Sequence, residues 1–431
     1  MIGIVESRAD EASVTICDRL RECRDWTETT DTDRPAGSGR TVYRTDGFEL
    51  RSFDELHLRT DGIAAAFDDP GLVVFASRHS GDTGPLLTTH FTGNVGRAEY
   101  GGEPGELARA APAAARDLMA AFDRHAPEGY DVGIECTHHG PSDVGAPSLF
   151  AELGSDADAW TDPDAARAVA RAILDLDGRV DADRTIVGIG GGHYARRFER
   201  IARETAWAVG HVAADWSLDA TVPDRPLRDL FEASGATHAV IDGEYPEIAA
   251  RIVDLGYRVV SETWVRTVDD RPLDLVERLE RDLVSIDDGL RFGDRPGPVD
   301  RIERLPAALL DEAASIDRTA AREAVAAGSV ALVTAEGGTR PAGRVAVPDD
   351  GTAGIVDDLV AVLRDRYDAI DRKGETVVAT KETFDPAAAR DAGVPEGPAF
   401  GRLADGEPVT IDGETIEPAA VLRETTDRFP L

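Results

Sequence analysis

Short apolar runs with β character alternate along this chain with segments whose apolar residues recur at helical spacing, and that alternation limits the fold more than any other feature. Strands joined by helices of ten to fifteen residues need crossover connections, which produce a mostly parallel sheet covered on both faces. Strands are predicted at Ile2 to Val5, Leu72 to Ala76, Leu86 to Phe91, Val132 to Cys136, Thr185 to Ile189 and Thr237 to Ile241. Helices are predicted at Ala12 to Leu20, behind capping residues Ser7 to Asp10, and at Ala108 to Phe122, Ala165 to Leu176, Arg196 to Val209 and Pro246 to Leu255. The expected class is therefore α/β: a mostly parallel sheet flanked by helices, phosphorylase/hydrolase-like, with a smaller α/β C-terminal extension.

At 431 residues the chain exceeds what one core normally supports, so more than one domain is expected. Thr27 to Asp46, rich in Thr, Asp, Gly and Arg, reads as an insertion loop. The Gly- and Pro-rich stretch 287–300 reads as a linker, giving a catalytic domain over 1–286 and an extension over 301–431. The extension reads as helix (Ala307 to Ala326), strand (Ser329 to Thr334), helix (Gly354 to Arg366), strand (Thr376 to Ala379) and a compact tail, and it carries none of the nine histidines.

Composition adds a second constraint. The formal net charge is −35, with 82 acidic residues spread over the whole length, and all but two of the 47 basic residues are arginine, Lys373 and Lys381 being the exceptions. An acidic surface of this extent suits a cytoplasm of molar salt, where the Debye length falls to about 3 Å and self-repulsion is screened. A halophilic source is expected. Hydrophobic residues at 42% in periodic segments exclude a disordered acidic chain. Cys17, Cys23 and Cys136 are too few and scattered for a disulfide framework. With no apolar run approaching the roughly 20 residues of a membrane span, a cytoplasmic protein without membrane or DNA partners is expected.

Chemistry concentrates in two loops that follow predicted strands. One is Glu135-Cys136-Thr137-His138-His139-Gly140-Pro141; the other is Gly190-Gly191-Gly192-His193-Tyr194, which enters a helix bearing Arg196, Arg197 and Arg200. Ligands of open α/β sheets sit beyond the carboxyl ends of strands, so these imidazoles are expected to converge at one sheet edge. Gly140-Pro141 supplies the bend that lets His138 and His139 serve one site. The glycine run and following helix read as an anion cradle. A dinucleotide fingerprint would need glycine where His193 stands, and there is no Gly-Lys-Ser/Thr for a phosphate loop. Two more predicted strands end in Arg78-His79 and in His90-Phe91-Thr92-Gly93-Asn94. Arg78 could hold a phosphate or carboxylate, and Thr92 and Asn94 could hydrogen-bond a ribose or an amide. Cys136 lies inside a strand and reads as a small core residue, and no Gly-x-Ser-x-Gly elbow occurs. That leaves water as the attacking group, activated by a metal or by a side-chain base. His138, His139 and His193 suit zinc, which accepts imidazole and keeps a position open; metal-free acid–base histidines are the other reading.

At these residues the chain resembles the archaeal and plant type of D-aminoacyl-tRNA deacylase. The segments Ser-Arg-His, Thr-His-x-Thr-Gly-Asn, Thr-His-His-Gly-Pro and Gly-Gly-Gly-His-Tyr occur in order after a Glu-Ser-x-x-Asp start, over about residues 1 to 280. The resemblance implies a zinc-dependent hydrolase that splits the ester between a D-amino acid and the terminal ribose of tRNA, on a fold similar to purine nucleoside phosphorylase and peptidyl-tRNA hydrolase. It places Arg78, His79, His90, Thr92 and Asn94 in the cleft around Glu135, His138, His139 and His193. We expect Glu135 to accept a proton from water, His138, His139 and His193 to act as metal ligands or acid–base groups, and Arg196 and Arg197 to meet acceptor-stem phosphates. The expected partner is aminoacyl-tRNA, and the expected state a monomer. Rival readings are a peptidyl-tRNA hydrolase or nucleoside phosphorylase on the same fold, and a non-catalytic, metal-dependent RNA-binding module.

Overall fold

Ile2–Ser7 (β1) is buried along its whole length and lies inside an eight-stranded sheet. The other members are Thr27–Thr30 (β2), Ser38–Thr45 (β3), Phe48–Phe53 (β4), Leu72–Arg78 (β5), Leu86–His90 (β6), Asp131–Ile134 (β7) and Ser148–Gly154 (β8), in the order β2-β3-β4-β1-β5-β8-β6-β7. The pairs β4·β1, β1·β5 and β5·β8 are parallel, whereas β6 runs antiparallel to β8 and takes β7 with it. A second sheet, wholly parallel, orders Ala208–Ala213 (β10), Thr185–Gly190 (β9), His238–Asp242 (β11) and Arg258–Val260 (β12). The computed structural model describes all residues except 219–221. It divides into two compact units, Met1–Asp270 and Arg271–Leu431, and both sheets belong to the first.

Strand periodicity decides which face each side chain covers. Ile2, Ile4, Leu72 and Val74 point to a layer of three helices, Glu11–Cys23, Pro112–His125 and Pro163–Leu174, and pack on Ile16, Leu20, Leu118, Phe122, Val169 and Ile173. Val5, Val73, Phe75 and Phe150 point the other way, against Ile63 and Phe67. Enclosing each such side chain contributes roughly 1.5–3 kcal/mol. Asp10 caps the first helix through Ser13 N (3.1 Å), and its other oxygen accepts Arg78 N (3.0 Å) at the end of β5. The acid of the Glu-Ser-x-x-Asp start thus fixes the strand end from which His79 departs.

Several expectations change. The stretch read as an insertion loop holds β2 and β3, a hairpin whose first strand is exposed throughout, so no apolar pattern betrays it. β4 was hidden by ions: Glu49 and Arg51 are buried in it as a pair at 2.6 Å. The segment read as one helix from Arg196 to Val209 stops at Glu204 and becomes β10. The second unit begins before the expected boundary. Within 287–300, Leu290–Phe292 pairs antiparallel with Ala331–Ala335 in a four-stranded sheet completed by Arg340–Val347 and Arg301–Arg304. Helices Ala307–Ile316, Arg318–Gly328 and Ala353–Val362 cover that sheet through Leu309, Val325 and Leu359. The helix expected over Ala307 to Ala326 is two, because the Asp317 side chain leaves the helix to cap the second through Thr319 N (2.8 Å) and Ala320 N (2.9 Å). Among the described residues no helix is long and apolar enough to cross a membrane.

Candidate active site

The histidines expected to converge do meet, His138 lying 4.4 Å from His139 and 4.6 Å from His193 between ring centroids, but because β6 and β7 oppose β8 they do not meet at one sheet edge. They gather on a face of the first sheet instead, where His90 stacks on Phe150 with ring centroids 5.0 Å apart and Glu152, two residues on, points the same way. The chain leaving β7 then links the two sheets. Glu135 N donates to Thr89 O (3.1 Å), Cys136 N to His193 O (2.9 Å) and Thr137 N to Val212 O (2.9 Å). The two histidine loops are held together by backbone.

Glu135, fully enclosed, is the hub. Its Oε1 lies 3.0 Å from His79 Nδ1, and its Oε2 lies 2.8 Å from His193 Nε2 and 3.8 Å from His138 Nε2. Glu152 stands 3.6 Å from His79 Nδ1 and 3.5 Å from His90 Nε2. Burial would push His79 down, but Glu135 and Glu152 outweigh it and hold the imidazole up to about 11. Such an imidazole is a lasting cation, and its Nε2 faces the Tyr194 hydroxyl at 2.9 Å. Burial favours neutral carboxyls, yet His193 and His79 hold Glu135 well below the carboxylate range, and His79 and His90 bring Glu152 to about 2. Both acids are charged.

The remaining imidazoles differ. Burial and then His139 and His90 push His138 well below its ordinary value; burial and then His90 bring His139 to about 4. His138 Nδ1 faces Cys136 O (2.9 Å), His139 Nδ1 faces Gly140 O (2.8 Å) and His90 Nδ1 faces Phe91 O (3.0 Å). A carbonyl only accepts, so each Nδ1 carries a proton. In neutral His138 and His139 each Nε2 presents a lone pair, whereas His90, which burial would lower, is raised above its ordinary value by Glu152, so its Nε2 must give up a proton before it can bind a metal. The ligand atoms of His90, His138 and His139 lie within 4.8 Å of one another, as do those of Cys136, His138 and His193. The expected trio of His138, His139 and His193 does not form such a group among the described residues: His139 faces His90, while His193 faces Glu135. The Cys136 thiol, enclosed near Glu135, is pushed up to about 12 and is inert at neutral pH.

Other expected residues have different surroundings. The Thr92 hydroxyl donates to Pro141 O, and Asn94 Nδ2 donates to Gly101 O (2.9 Å) and Glu103 O (3.4 Å), so these two buried side chains hold loops. The Arg78 guanidinium lies over Trp160, 5.0 Å from the ring centroid. Arg197 is committed to Glu262 (3.2 Å) and Asp242 (3.3 Å), and Arg200 also binds Glu262 (2.6 Å). Two of the three arginines of the expected anion cradle are thus neutralised. Gly190 is required for close packing, since a Cβ there would stand 2.2 Å from Asp242 O. Arg196 remains two-thirds exposed, its nearest ionic partner being Glu199 at 3.6 Å. Sequence reasoning missed Glu152, whose strand Ser148–Gly154 carries no motif; the apolar run Leu149-Phe150-Ala151 is the signal that could have found it.

A cavity of about 980 Å³ opens onto this centre, with His138 and His193 on its wall beside Tyr100, Arg97, Trp216 and Arg225. His193, a third exposed, is the member of the Glu135 pair that reaches it. An enclosed carboxylate gripping imidazoles at the wall of an open cavity, on an α/β scaffold, defines the class: an enzyme-like fold with acid–base and metal-ligand groups gathered at one centre.

The chain belongs to the D-aminoacyl-tRNA deacylase family. The family profile of that description matches residues 66–258. The chain is 54% identical to a D-aminoacyl-tRNA deacylase of Halorubrum lacusprofundi over all of this chain and 97% of that one, and 54% identical to one of Natronomonas pharaonis over the whole of both. A D-aminoacyl-tRNA deacylase of Methanoregula boonei is 34% identical over 99% of this chain and 98% of its own. Those alignments include the second unit, which is therefore shared with these relatives. The crystal structure of a conserved protein of unknown function is similar at a TM-score of 0.56 and 30% identity, covering 63% of this chain and 97% of that one.

Proposed function

We propose that this protein hydrolyses the ester of D-aminoacyl-tRNA, releasing a free D-amino acid and tRNA. The observation that carries the reading is the contact of Glu135 with His193 at the wall of the open cavity, in a chain whose relatives bear that activity in their names. Glu135 has no path to solvent of its own, so it acts on water through His193: the carboxylate fixes the ring and stabilises the charge that forms when His193 takes a proton. His79, held cationic between Glu135 and Glu152, keeps both carboxylates ionised, and Tyr194 fixes its far nitrogen.

His90, His138 and His139 fit a metal. Each has its Nδ1 proton committed to a carbonyl, and His90 Nε2 is enclosed without a hydrogen bond. Backbone acceptors that fix the tautomer are what an imidazole ligand requires, and a three-histidine set suits zinc. When bound, zinc would polarise the ester carbonyl and lower the pKa of water. Arg196 supports the reading of a phosphate contact by its exposure, whereas Arg78, Arg197, Thr92 and Asn94 are better understood as structural. The net charge of −35 supports a halophilic, cytoplasmic setting in which tRNA is held by short-range contacts, since counterion release contributes little in molar salt. We propose a monomer.

Amino-acid release from D-tyrosyl-tRNA and L-tyrosyl-tRNA in molar KCl, after chelation and with zinc restored, tests the reading. Selective, zinc-restored cleavage of the D form is expected. Cleavage of neither would remove the deacylase, and cleavage indifferent to zinc would remove the metal.

A further inference from the structure

Exposed aromatic side chains are few here: the exposed large hydrophobic residues are Met1, Tyr100, Trp216, Val253 and Ile302 among the described residues. The two aromatic ones, Tyr100 at 64% and Trp216 at 61% exposure, both border the cavity that reaches His138 and His193. Each is tied by backbone to one histidine loop. Gly140 N donates to Tyr100 O (3.1 Å), beside His138 and His139, and Asp215 N donates to Gly191 O (3.0 Å), beside His193. Asn94 adds a side-chain clamp on the Tyr100 loop, and Tyr245 OH donates to Asp215 Oδ1 on the other.

We propose that Tyr100 and Trp216 form the seat of the terminal nucleobase of tRNA, flanking the cavity at whose wall the ester meets His138 and His193. Two flat faces left open to water at fixed positions relative to a reaction centre suit stacking, which recognises any base through its π surface. Every tRNA ends in the same adenosine whatever amino acid it bears, so a rigid seat serves all substrates, whereas the amino-acid side chain varies. A cavity of about 980 Å³ has room for a nucleoside together with its ester. Arg97, exposed on the same cavity and without an ion pair among the described residues, stands ready for the phosphate of that nucleotide. The inference rests on the deacylase reading, and its test can be read separately.

Adenosine monophosphate is titrated into the intact protein in molar KCl while tryptophan fluorescence is followed, with ribose 5-phosphate as the base-free control. Quenching by the nucleotide alone, absent from Trp216→Phe, is expected. In parallel, Tyr100→Ala and Trp216→Ala should each raise KM for D-tyrosyl-tRNA about tenfold while kcat moves far less, and Tyr100→Phe and Trp216→Phe should retain most of the wild-type KM. An unchanged KM in both alanine variants would overturn the seat. So would a rise seen with D-tyrosyl-tRNA but not with D-alanyl-tRNA, which would assign the aromatics to the amino-acid side chain. If the wild-type protein cleaves no D-aminoacyl-tRNA, the deacylase reading fails alone; quenching lost in Trp216→Phe would still uphold a nucleobase seat, and no quenching would overturn it.

Discussion

His193 Nε2 stands 2.8 Å from Glu135 Oε2, a contact that joins residues following strands of two different sheets. The backbone repeats the junction one residue later, where Cys136 N donates to His193 O at 2.9 Å. Neither sheet alone holds the pair. The geometry depends on how the two sheets are seated, and the loop from Glu135 to Thr137, hydrogen-bonded to both, makes that seating rigid. A buried acid behind a partly exposed imidazole is a means of delivering basicity to a cavity without exposing a carboxylate to a substrate rich in phosphate.

Glu135→Gln is the sharpest probe of that pair. The amide keeps the volume and can still accept the His193 Nε2 proton, but it cannot stabilise an imidazolium. Deacylation of D-tyrosyl-tRNA should fall about a hundredfold or more in kcat with KM little altered. A loss under tenfold would retire Glu135 from catalysis.

Metal content distinguishes the two ligand groups that share His138. If zinc sits among His90, His138 and His139, then His90→Ala and His139→Ala should each abolish most bound zinc, measured per chain by mass spectrometry, while Cys136→Ala leaves it unchanged. Glu152→Gln, which removes the carboxylate beside His90, should weaken zinc about ten- to a hundredfold without abolishing it. Zinc lost in Cys136→Ala and kept in His90→Ala would move the metal to the Cys136, His138 and His193 group.

What was legible in the sequence follows a physical division. β1, β5 and β9 announce themselves because they are buried on both faces and read as continuous apolar runs. The loops bearing Glu135, His138, His139 and His193 were legible because strand ends, glycines and histidines coincide there. Thr92 and Asn94 carried the same strand-end signal yet hold backbone, since a buried hydroxyl or amide looks alike in sequence whether its partner is a ligand or a carbonyl. Strand direction was not legible. Nothing in Leu86–His90 says that it opposes β8, and that reversal is what turns an expected edge site into one on the sheet face. Glu152 escaped for the same reason: its role exists only through its neighbours on β5 and β6.

Arg196 and Arg197, adjacent in sequence, should separate by function. Arg196 projects into solvent, so Arg196→Ala should weaken tRNA binding and lower its salt slope without affecting stability. Arg197 binds Glu262 and Asp242, so Arg197→Ala should cost about 1 kcal/mol of stability and leave KM for tRNA unchanged. Melting temperatures and tRNA-binding isotherms for both variants check this. The reverse pattern would show that Arg197 leaves its acidic partners to meet phosphate.

His211 makes a pH-dependent prediction away from the reaction centre. It is enclosed, with Nε2 2.9 Å from Ala108 O and Nδ1 2.9 Å from the Thr137 hydroxyl, so Nε2 carries the single proton and Nδ1 accepts. Burial brings its folded value down to about 4, against about 6.5 in an unfolded chain. Below the unfolded value the unfolded chain takes up a proton that the folded one refuses, so stability is lost as pH falls from about 6.5 to about 4, and the loss stops there. The shift corresponds to about 3 kcal/mol over that window. All five tryptophans lie in the first unit, so fluorescence reports its unfolding specifically. Urea midpoints in molar KCl should fall between pH 7 and pH 4.5 more steeply in the wild type than in His211→Gln, whose amide can make both hydrogen bonds but does not titrate. Other enclosed imidazoles, such as His139, leave a residual slope in both proteins, and it is the difference between the two that reports His211. Parallel slopes would mean that His211 is protonated in the folded chain, and the tautomer fixed by Ala108 and Thr137 would have to be abandoned.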